Sequence, residues 1–564
     1  MIAAIALLVF IRPFISEVAF PEVDFWYRML LLAVFLAAVL RKRYLSKRSQ
    51  IDIAIILFLL ACAASWFFSI NKNRTFTELQ QLFCGICLFF LAARSTQKEA
   101  GYLARTLCFA AVIASLYGVY QYIFGFERLG IFLAENKDRL PNYPQLQDIL
   151  FRKRVYATFV SPDMLGGYLL MVMPISLGLA VKSRGRARLL YAVIIAVLLT
   201  VLILTRSIGA LLTAALSSLA FLALQRRFAP RQENGKNRLG VFFLALVVIA
   251  FLLITSARLG VLFDPKNPHN PAKQRLDYWR SALGVIKDFP ALGVGLGNFG
   301  IIYPKYKLPD AGEVFFAHNG FLQIWTEAGG IGVLTFLIIL VIFMRSGFAA
   351  LKKRSGDAIA LGVFVGGIAF LLHNLIDYDL SIYQVSFHWW VIAGLMCALL
   401  REGAEECNVG HIPTGPMAMA FKIAVSALVI AAASFMAINF LSYLHYRKAY
   451  AYVEGKEDSA AASEIRYAIA LNPQADGYHF FLAKLLERSL KRQNRDVRVV
   501  SEVISEHVRA MRLSPYYSFY YASLARFYLS CGKPSAAIAL IRQALRLYPC
   551  NREYKALLAA IDTP

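Results

Sequence analysis

Long apolar segments alternate with short polar ones over roughly the first 440 residues of the chain. A helix needs about 20 mostly apolar residues to cross the hydrocarbon core of a bilayer. The candidate spans, of which the first is short, are 1–16, 25–41, 51–70, 78–94, 106–124, 163–181, 188–205, 208–225, 240–257, 328–349, 358–376, 383–400 and 417–440. The pattern predicts an all-α, polytopic membrane protein of about thirteen transmembrane helices.

Four clusters of basic residues each follow an even-numbered predicted span. The four clusters of Lys and Arg lie at 41–48, 182–188, 226–238 and 352–354. Short basic loops stay on the cytoplasmic side of a membrane. This rule places the N-terminus in the cytoplasm. It places the long loops 125–162 and 258–327, and everything after the last span, on the outer face.

The polar segment after the last span repeats itself. Three similar helix endings, Ala470-Leu-Asn-Pro473, Arg512-Leu-Ser-Pro515 and Arg546-Leu-Tyr-Pro549, follow one another. The last two prolines are 34 residues apart, which is the tetratricopeptide period. The first interval is longer, so we expect an insertion near residues 490–496. The chain is therefore predicted to divide into a membrane domain, 1–440, and a tetratricopeptide domain, 441–564.

Composition supports the membrane assignment and excludes other classes. Of the 564 residues, 59% are hydrophobic and only 17% are charged, with mean hydropathy +0.55. A soluble protein of several domains is less apolar. The net charge of +25 suggests nucleic acid, but much of the basic excess lies beside apolar spans, where it sets orientation. The chain also lacks clustered His, Cys and carboxylate residues at metal-ligand spacing, so we predict no metal site.

The strongest candidate for chemistry is the stretch 316–332. It contains His318, the side-chain type that exchanges a proton most readily near neutral pH. Asn319 follows at once, and Glu327 precedes the Gly329–Gly332 turn into a predicted span. A histidine that merely caps a helix at the membrane interface is the alternative. For Glu327 we favour a role in orienting the loop over a role as a second catalytic group.

The loop before this stretch is predicted to contain an amphipathic helix. Its apolar residues, Leu276, Trp279, Leu283 and Ile286, are spaced by 3, 4 and 3. Arg275 and Arg280 flank the stripe, and Arg280 can pair with Asp277 one turn earlier. The glycine-rich run 290–299 ends the helix. No strand precedes it, so we interpret it as a turn rather than a phosphate-binding loop.

Several segments together resemble the O-antigen ligase and polymerase family, bacterial membrane glycosyltransferases of the GT-C type. In the long loop they are Arg275-Leu-Asp-Tyr-Trp279, Asp288-Phe-Pro290-x-x-Gly293-x-Gly295-x-Gly297-Asn298-Phe299 and His318-Asn319-Gly320-x-Leu322-x-x-x-x-Glu327-x-Gly329. Earlier segments are Arg154-Val-Tyr-Ala-Thr158-Phe with Ser161-Pro162-Asp163, and Thr205-Arg206-Ser207-x-Gly209-Ala210. The resemblance covers roughly residues 50–400. Some relatives carry a tetratricopeptide tail.

The resemblance implies transfer of a glycan from a polyprenyl pyrophosphate carrier to an acceptor hydroxyl at the periplasmic face of the inner membrane, without nucleotide or metal. It implies that His318 is the base. Arg275, Arg206 and Arg154 would bind the donor pyrophosphate, since a guanidinium fork matches phosphate oxygens. Asn319, Glu327 and Arg280 would support them. For Arg206, a simple interfacial position at the end of its span is an equal alternative.

The nature of the acceptor stays open at this point. It is a lipid A core, a growing glycan or a protein. From another class, a polysaccharide or lipid transporter has similar spans, but it would carry interrupted helices with charges near the middle of the bilayer. We also expect the tail to recruit an acceptor or a protein partner and to take no part in the chemical step.

Overall fold

A computed structural model of the protein describes residues 1–41, 49–136, 149–228, 238–257, 260, 264, 270–401, 416–490 and 497–562. Every regular element within these ranges is a helix, which confirms the all-α class. The principal helices are α1 (Ile2–Ile11), α2 (Pro21–Leu40), α3 (Gln50–Ser65), α4 (Lys72–Ala93), α5 (Gln97–Tyr120), α6 (Phe126–Glu135), α7 (Pro162–Lys182), α8 (Gly185–Thr205), α9 (Ile208–Phe228), α10 (Arg238–Ser256), α11 (Pro271–Asp288), α12 (Phe299–Tyr306), α13 (Gly320–Lys353), α14 (Ala358–His373), α15 (Tyr383–Arg401), α16 (Pro416–Glu454), α17 (Asp458–Leu471), α18 (Asp476–Leu490), α19 (Val497–Leu513), α20 (Ser518–Ser530), α21 (Pro534–Leu547) and α22 (Arg552–Asp562).

The chain is a multi-pass membrane protein. Within the described residues, 11 helical segments are long and apolar enough to cross a membrane. Two shorter apolar segments, Ile2–Phe14 and Ala358–His373, accompany them. Each predicted span overlaps one of these segments. The number of thirteen crossings stays a prediction, because the two short segments fall below the length that a bilayer core requires. The basic clusters at 41–48 and 226–238 lie mostly outside the described residues.

The chain divides into two compact units, of which the first holds most of the apolar helices. It comprises Met1–Ile55, Phe83–Asn267 and Leu337–Ser426. Its α7 is buried from Met164 to Ala180 and packs against α14. The two backbones approach so closely that a Cβ atom at Gly366 would lie 2.3 Å from the carbonyl oxygen of Met171. Small residues permit this approach, as is usual between apolar helices.

The second unit holds the long loop and the tail. It comprises Ile56–Leu82, Pro268–Phe336 and Ala427–Pro564. In the tail, α17, α19 and α21 each end two residues before the proline of one of the three repeated sequences. The end of α16 with α17, then α18 with α19, then α20 with α21 form three helical hairpins, and α22 packs on the last. The predicted insertion falls between α18 and α19, where residues 491–496 lie outside the described part.

The apolar stripe predicted on α11 is partly wrong. Leu276 and Leu283 are 49% and 54% exposed. The buried face instead contains Tyr278, Ala282 and Val285, together with the predicted Ile286. Tyr278, Ala282 and Val285 also recur at helical spacing, so the period was identified correctly. Leu276 and Leu283 fit the same period but lie on the exposed side of the helix.

Candidate functional site

Helix α11 is the platform of the candidate site in the second unit. Asn270 begins the helix, because its Oδ1 accepts hydrogen bonds from the backbone of Ala272 and Lys273 at 3.0 and 3.1 Å. Residues three and four apart on a helix are neighbours. Arg275 therefore shares one face with Tyr278 and Trp279 in the following turn.

His318 lies on that face of α11. Its imidazole ring stacks on Tyr278, with 5.4 Å between ring centroids and 29° between planes. The indole of Trp279 donates a hydrogen bond to the backbone oxygen of His318 at 3.3 Å. Burial raises the pKa of the Tyr278 phenol, and the nearby charge of Arg275 partly offsets this. His318 thus stacks on Tyr278, and Arg275 lies one turn before Tyr278 on the same face of α11.

The backbone of His318 is in the left-handed region, with φ 51°. This region is costly for a residue with a Cβ atom. Among the described residues, the other non-glycine positions with positive φ are Lys153, Ala157, Arg206 and Lys456. His318 and Arg206 are both predicted site residues, and Lys153 precedes a third, Arg154. Such strain concentrates at functional sites, where surrounding contacts hold it in place.

Asn319 caps the helix that follows His318. Its Oδ1 accepts hydrogen bonds from the backbone of Phe321 and Leu322, both at 3.0 Å. The cap fixes where α13 begins and thereby fixes the residue before it. The side chain that caps this helix is therefore the asparagine rather than the histidine.

Glu327 is buried and is engaged by groups of the protein itself. Its Oε1 accepts hydrogen bonds from Gln323 Nε2 at 2.7 Å and from the backbone of Phe299 at 3.2 Å. The other end of the Gln323 amide accepts from the backbone of Ala317 at 2.7 Å. A chain of hydrogen bonds therefore runs from Glu327 to the residue before His318.

The glycine-rich run forms a turn that pairs with a kink in α13. The backbones of Val294 and Gly295 donate to the carbonyl oxygens of Thr326 and Glu327, both at 2.9 Å. The kink is at Gly329, with φ 69° and ψ −173°. A Cβ atom there would lie 2.2 Å from the oxygen of Ala291. The run is thus structural, and no phosphate-binding loop is formed.

Arg280 lies on the same helix as Arg275 but faces outward. Its side chain is 69% exposed, and its Nη1 is 3.5 Å from Oδ1 of Asp277. This is the pairing that the sequence predicted from the spacing of the two residues. An exposed ion pair of this kind contributes about 0–1 kcal/mol to stability.

Arg154 and Arg206 belong to the first unit, where they are close to each other. Arg154 donates to the oxygen of Thr205 at 2.8 Å and to Asp163 at 2.8 Å. Arg206 donates to the oxygen of Arg152 at 3.1 Å. Arg152 and Arg154 line a cavity of about 540 Å³. Its other lining residues are mostly apolar or aromatic: Phe14, Ser16, Val18, Ala19, Phe20, Tyr117, Ile149, Tyr156, Ala157, Thr158, Phe159, Val160 and Pro162.

The sequence missed two residues that organise the site, Tyr278 and Gln323. Tyr278 lies within the motif Arg275–Trp279, three residues after Arg275, and this spacing was a usable signal. Gln323 had none, because its role depends on a contact with Ala317 across a turn. Among the described residues, no group of three His, Cys, Asp or Glu side chains is placed to hold a metal ion.

Two family models match the chain. The model described as O-antigen ligase matches residues 191–337, and a tetratricopeptide-repeat model matches residues 520–561. The first match contains Arg206, Arg275, His318 and Glu327, whereas Arg154 precedes it. The second begins in α20 and ends in α22. No curated protein matches the chain.

Proposed function

Because the chain belongs to the O-antigen ligase family, we propose that it transfers a glycan from a polyprenyl pyrophosphate carrier to an acceptor hydroxyl at the outer face of the bacterial inner membrane. The observation that carries this proposal is the arrangement around Tyr278. A strained histidine stacks on it, and an arginine lies one turn earlier on the same face of its helix. These are the two kinds of group that such a transfer requires, a proton acceptor and a cation.

In the proposed reaction, His318 removes the proton of the acceptor hydroxyl. The oxygen forms a bond to the anomeric carbon of the glycan, and the bond from that carbon to the pyrophosphate oxygen breaks. The leaving pyrophosphate carries the negative charge, which arginine stabilises through paired hydrogen bonds. The proton leaves His318 for solvent and the base is restored. A positioned base of this kind contributes about 10²–10⁴-fold in rate.

The other site residues take distinct roles in this proposal. Arg275 binds the leaving pyrophosphate near His318. Arg154 and Arg206 are proposed ligands of the donor on the strength of the family resemblance. For Arg154, the cavity that it lines in the first unit supports this role. Asn319 and Glu327 position His318 through the helix cap and the Gln323 bridge. Arg280 supports the helix through Asp277.

The decisive experiment compares the wild type with His318→Ala in lipid nanodiscs, using a polyprenyl pyrophosphate-linked oligosaccharide as donor. Lipid A core, free glycan and unfolded protein are supplied as acceptors in separate arms. We expect a fall of about 10²–10⁴-fold in turnover. Donor binding and thermal unfolding should stay at wild-type values, since the side chain is only partly buried. Wild-type turnover in His318→Ala would refute the proposal.

Arg275 is tested in the same assay. Arg275→Ala should weaken donor binding as well as turnover, and Arg275→Lys should restore only part of the loss because the planar fork is missing. Lys287→Ala is the matched control, since it removes an exposed charge from the end of the same helix. The active acceptor arm identifies the acceptor class. If no arm yields product and the donor lipid instead moves across the membrane, the protein is a transporter.

A further inference from the structure

The segment between α12 and α13, residues 307–319, contains the candidate base His318 as its second-last residue. Its inner side rests on the core of the long loop. Tyr303 donates a hydrogen bond to the oxygen of Gly312 at 2.8 Å, and Ala311 and Ala317 are buried in the same cluster as Tyr278. The position of His318 therefore depends on how the whole segment is held.

The opposite side of this segment is held by the tail. Lys307 lies between Glu313 and Tyr548, with 3.1 Å from its Nζ to the Tyr548 hydroxyl and 5.4 Å to the ring. The Tyr548 hydroxyl also contacts Glu313, and the Cys550 thiol donates to the backbone oxygen of Lys307 at 3.3 Å. We name Lys307, Glu313, Tyr548 and Cys550 the latch. Tyr548 and Cys550 directly follow α21 of the last hairpin.

The latch is more than a surface contact. The Lys307 side chain is only 10% exposed, so its charge has lost most of its water. A charge in that position is costly unless other groups solvate it. Burial lowers the pKa of Lys307, but hydrogen bonds with Glu313 and Tyr548 outweigh burial and raise the pKa overall. Glu313 belongs to the same segment as Lys307, so the connection from this segment to the tail is made through Tyr548 and Cys550.

Other contacts keep the tail on the long loop independently of the latch. The ring of Tyr516 packs on Phe289 at 6.3 Å between centroids and lies under Lys305 at 5.8 Å. Asp476 of the tail also accepts a hydrogen bond at 3.0 Å from Asn71, which lies directly before α4 in the same unit. The latch is therefore a local contact at one end of a larger interface, and it can be removed without releasing the tail.

We propose that Tyr548 is a positioning residue of the transfer reaction. The last tetratricopeptide hairpin holds the segment 307–319 at Lys307, and this keeps His318 in place at the other end. A partner that moves the end of α21 would then change the rate of transfer. The inference rests on the proposed function, in which His318 is the base. It gives the tail a part in the chemical step that was not expected from the sequence.

The test uses the full-length protein with Tyr548→Phe, which removes one hydroxyl and keeps the ring. We expect faster amide hydrogen exchange within residues 307–319, measured without donor. With the donor and the acceptor that the wild type uses, kcat should fall about tenfold, as the loss of one hydrogen bond to a charged group allows. The KM for the donor should stay within about twofold, because the donor-binding arginines are untouched.

The matched control is Tyr521→Phe. Its hydroxyl also makes one hydrogen bond, to the oxygen of Pro515 at 3.0 Å within the tail, and it has no part in the latch. The control should leave both exchange in 307–319 and kcat unchanged. A second variant, Lys307→Met, removes the ammonium from the loop side and covers the case in which Tyr548→Phe fails to fold. The double variant, with Tyr548→Phe and Lys307→Met together, should lower kcat no further than the more affected single variant does, because both substitutions act through one contact.

Two results would overturn the proposal. One is wild-type exchange in 307–319 for Tyr548→Phe and Lys307→Met, which would mean that the latch does not hold the segment. The other is faster exchange with wild-type kcat, which would mean that the segment does not position the base. The variant His318→Ala separates failure of the proposed function from failure of this inference. If His318→Ala keeps full turnover, His318 is not the base. The exchange data then still show whether the latch holds the segment.

Discussion

His318, just before α13, and Glu327, in the first half of α13, are held in opposite ways. Before the first turn of this helix, His318 has a strained backbone, a partly buried ring and an aromatic neighbour. Two turns later, Glu327 is buried, with its carboxylate bonded to Gln323 and to the backbone of Phe299. One family signature thus contains a residue suited to chemistry and a residue suited to scaffolding. Burial and hydrogen-bond partners separate the two roles.

The largest effect is expected at the kink that anchors the scaffold end. Gly329→Ala should destabilise the protein by about 4 kcal/mol, because the backbone there is in a glycine-only region and a Cβ atom would meet Ala291. Thermal unfolding in nanodiscs measures the change. Gly330→Ala is the matched control, since its Cβ would approach no atom closer than 3.2 Å. Equal stability of the two variants would contradict the anchoring role.

An intermediate effect is expected at Glu327 itself. Glu327→Ala leaves two buried donors without their acceptor and should cost about 2 kcal/mol in the free energy of unfolding. Glu327→Gln keeps an oxygen at the same place, so stability and turnover should both stay close to wild type. If Glu327→Gln folds normally but loses turnover, the carboxylate takes part in the chemistry. The contrast with His318 would then disappear.

The smallest effect is expected at the helix cap. Asn319→Ala should cost about 1 kcal/mol of stability, the usual value for a lost N-cap. Asn319→Asp should keep the cap, because a carboxylate accepts the same two backbone hydrogen bonds. In both Asn319 variants, we expect turnover to fall only as far as the loss of stability explains. A large loss of turnover in Asn319→Asp would show that the amide contacts substrate, which would move Asn319 to the chemical end of the comparison.

Much of the fold was predictable because long apolar runs and a 34-residue repeat are strong periodic signals. The class, the helical segments and the tail all followed from them. The register of α11 was predicted incorrectly because Leu276 and Leu283 satisfy a helical period while lying on the exposed side. The partners of Glu327 and Lys307 were not predictable. They depend on contacts such as Phe299–Glu327 and Lys307–Tyr548, which no local pattern encodes.

Helix α16 has a consequence for how the tail can be exchanged. It continues for 39 residues, about 58 Å, through the predicted domain boundary at 440. Within the second unit the helix is therefore continuous across residue 440, and the tail begins there without a flexible linker. One residue inserted after Phe440 would turn everything beyond it by about 100° relative to the preceding turns of the helix in the same unit. A tail from another protein, fused within α16, would present its last hairpin to Lys307 only if the fusion kept the number of residues in the helix unchanged or changed it by whole helical turns.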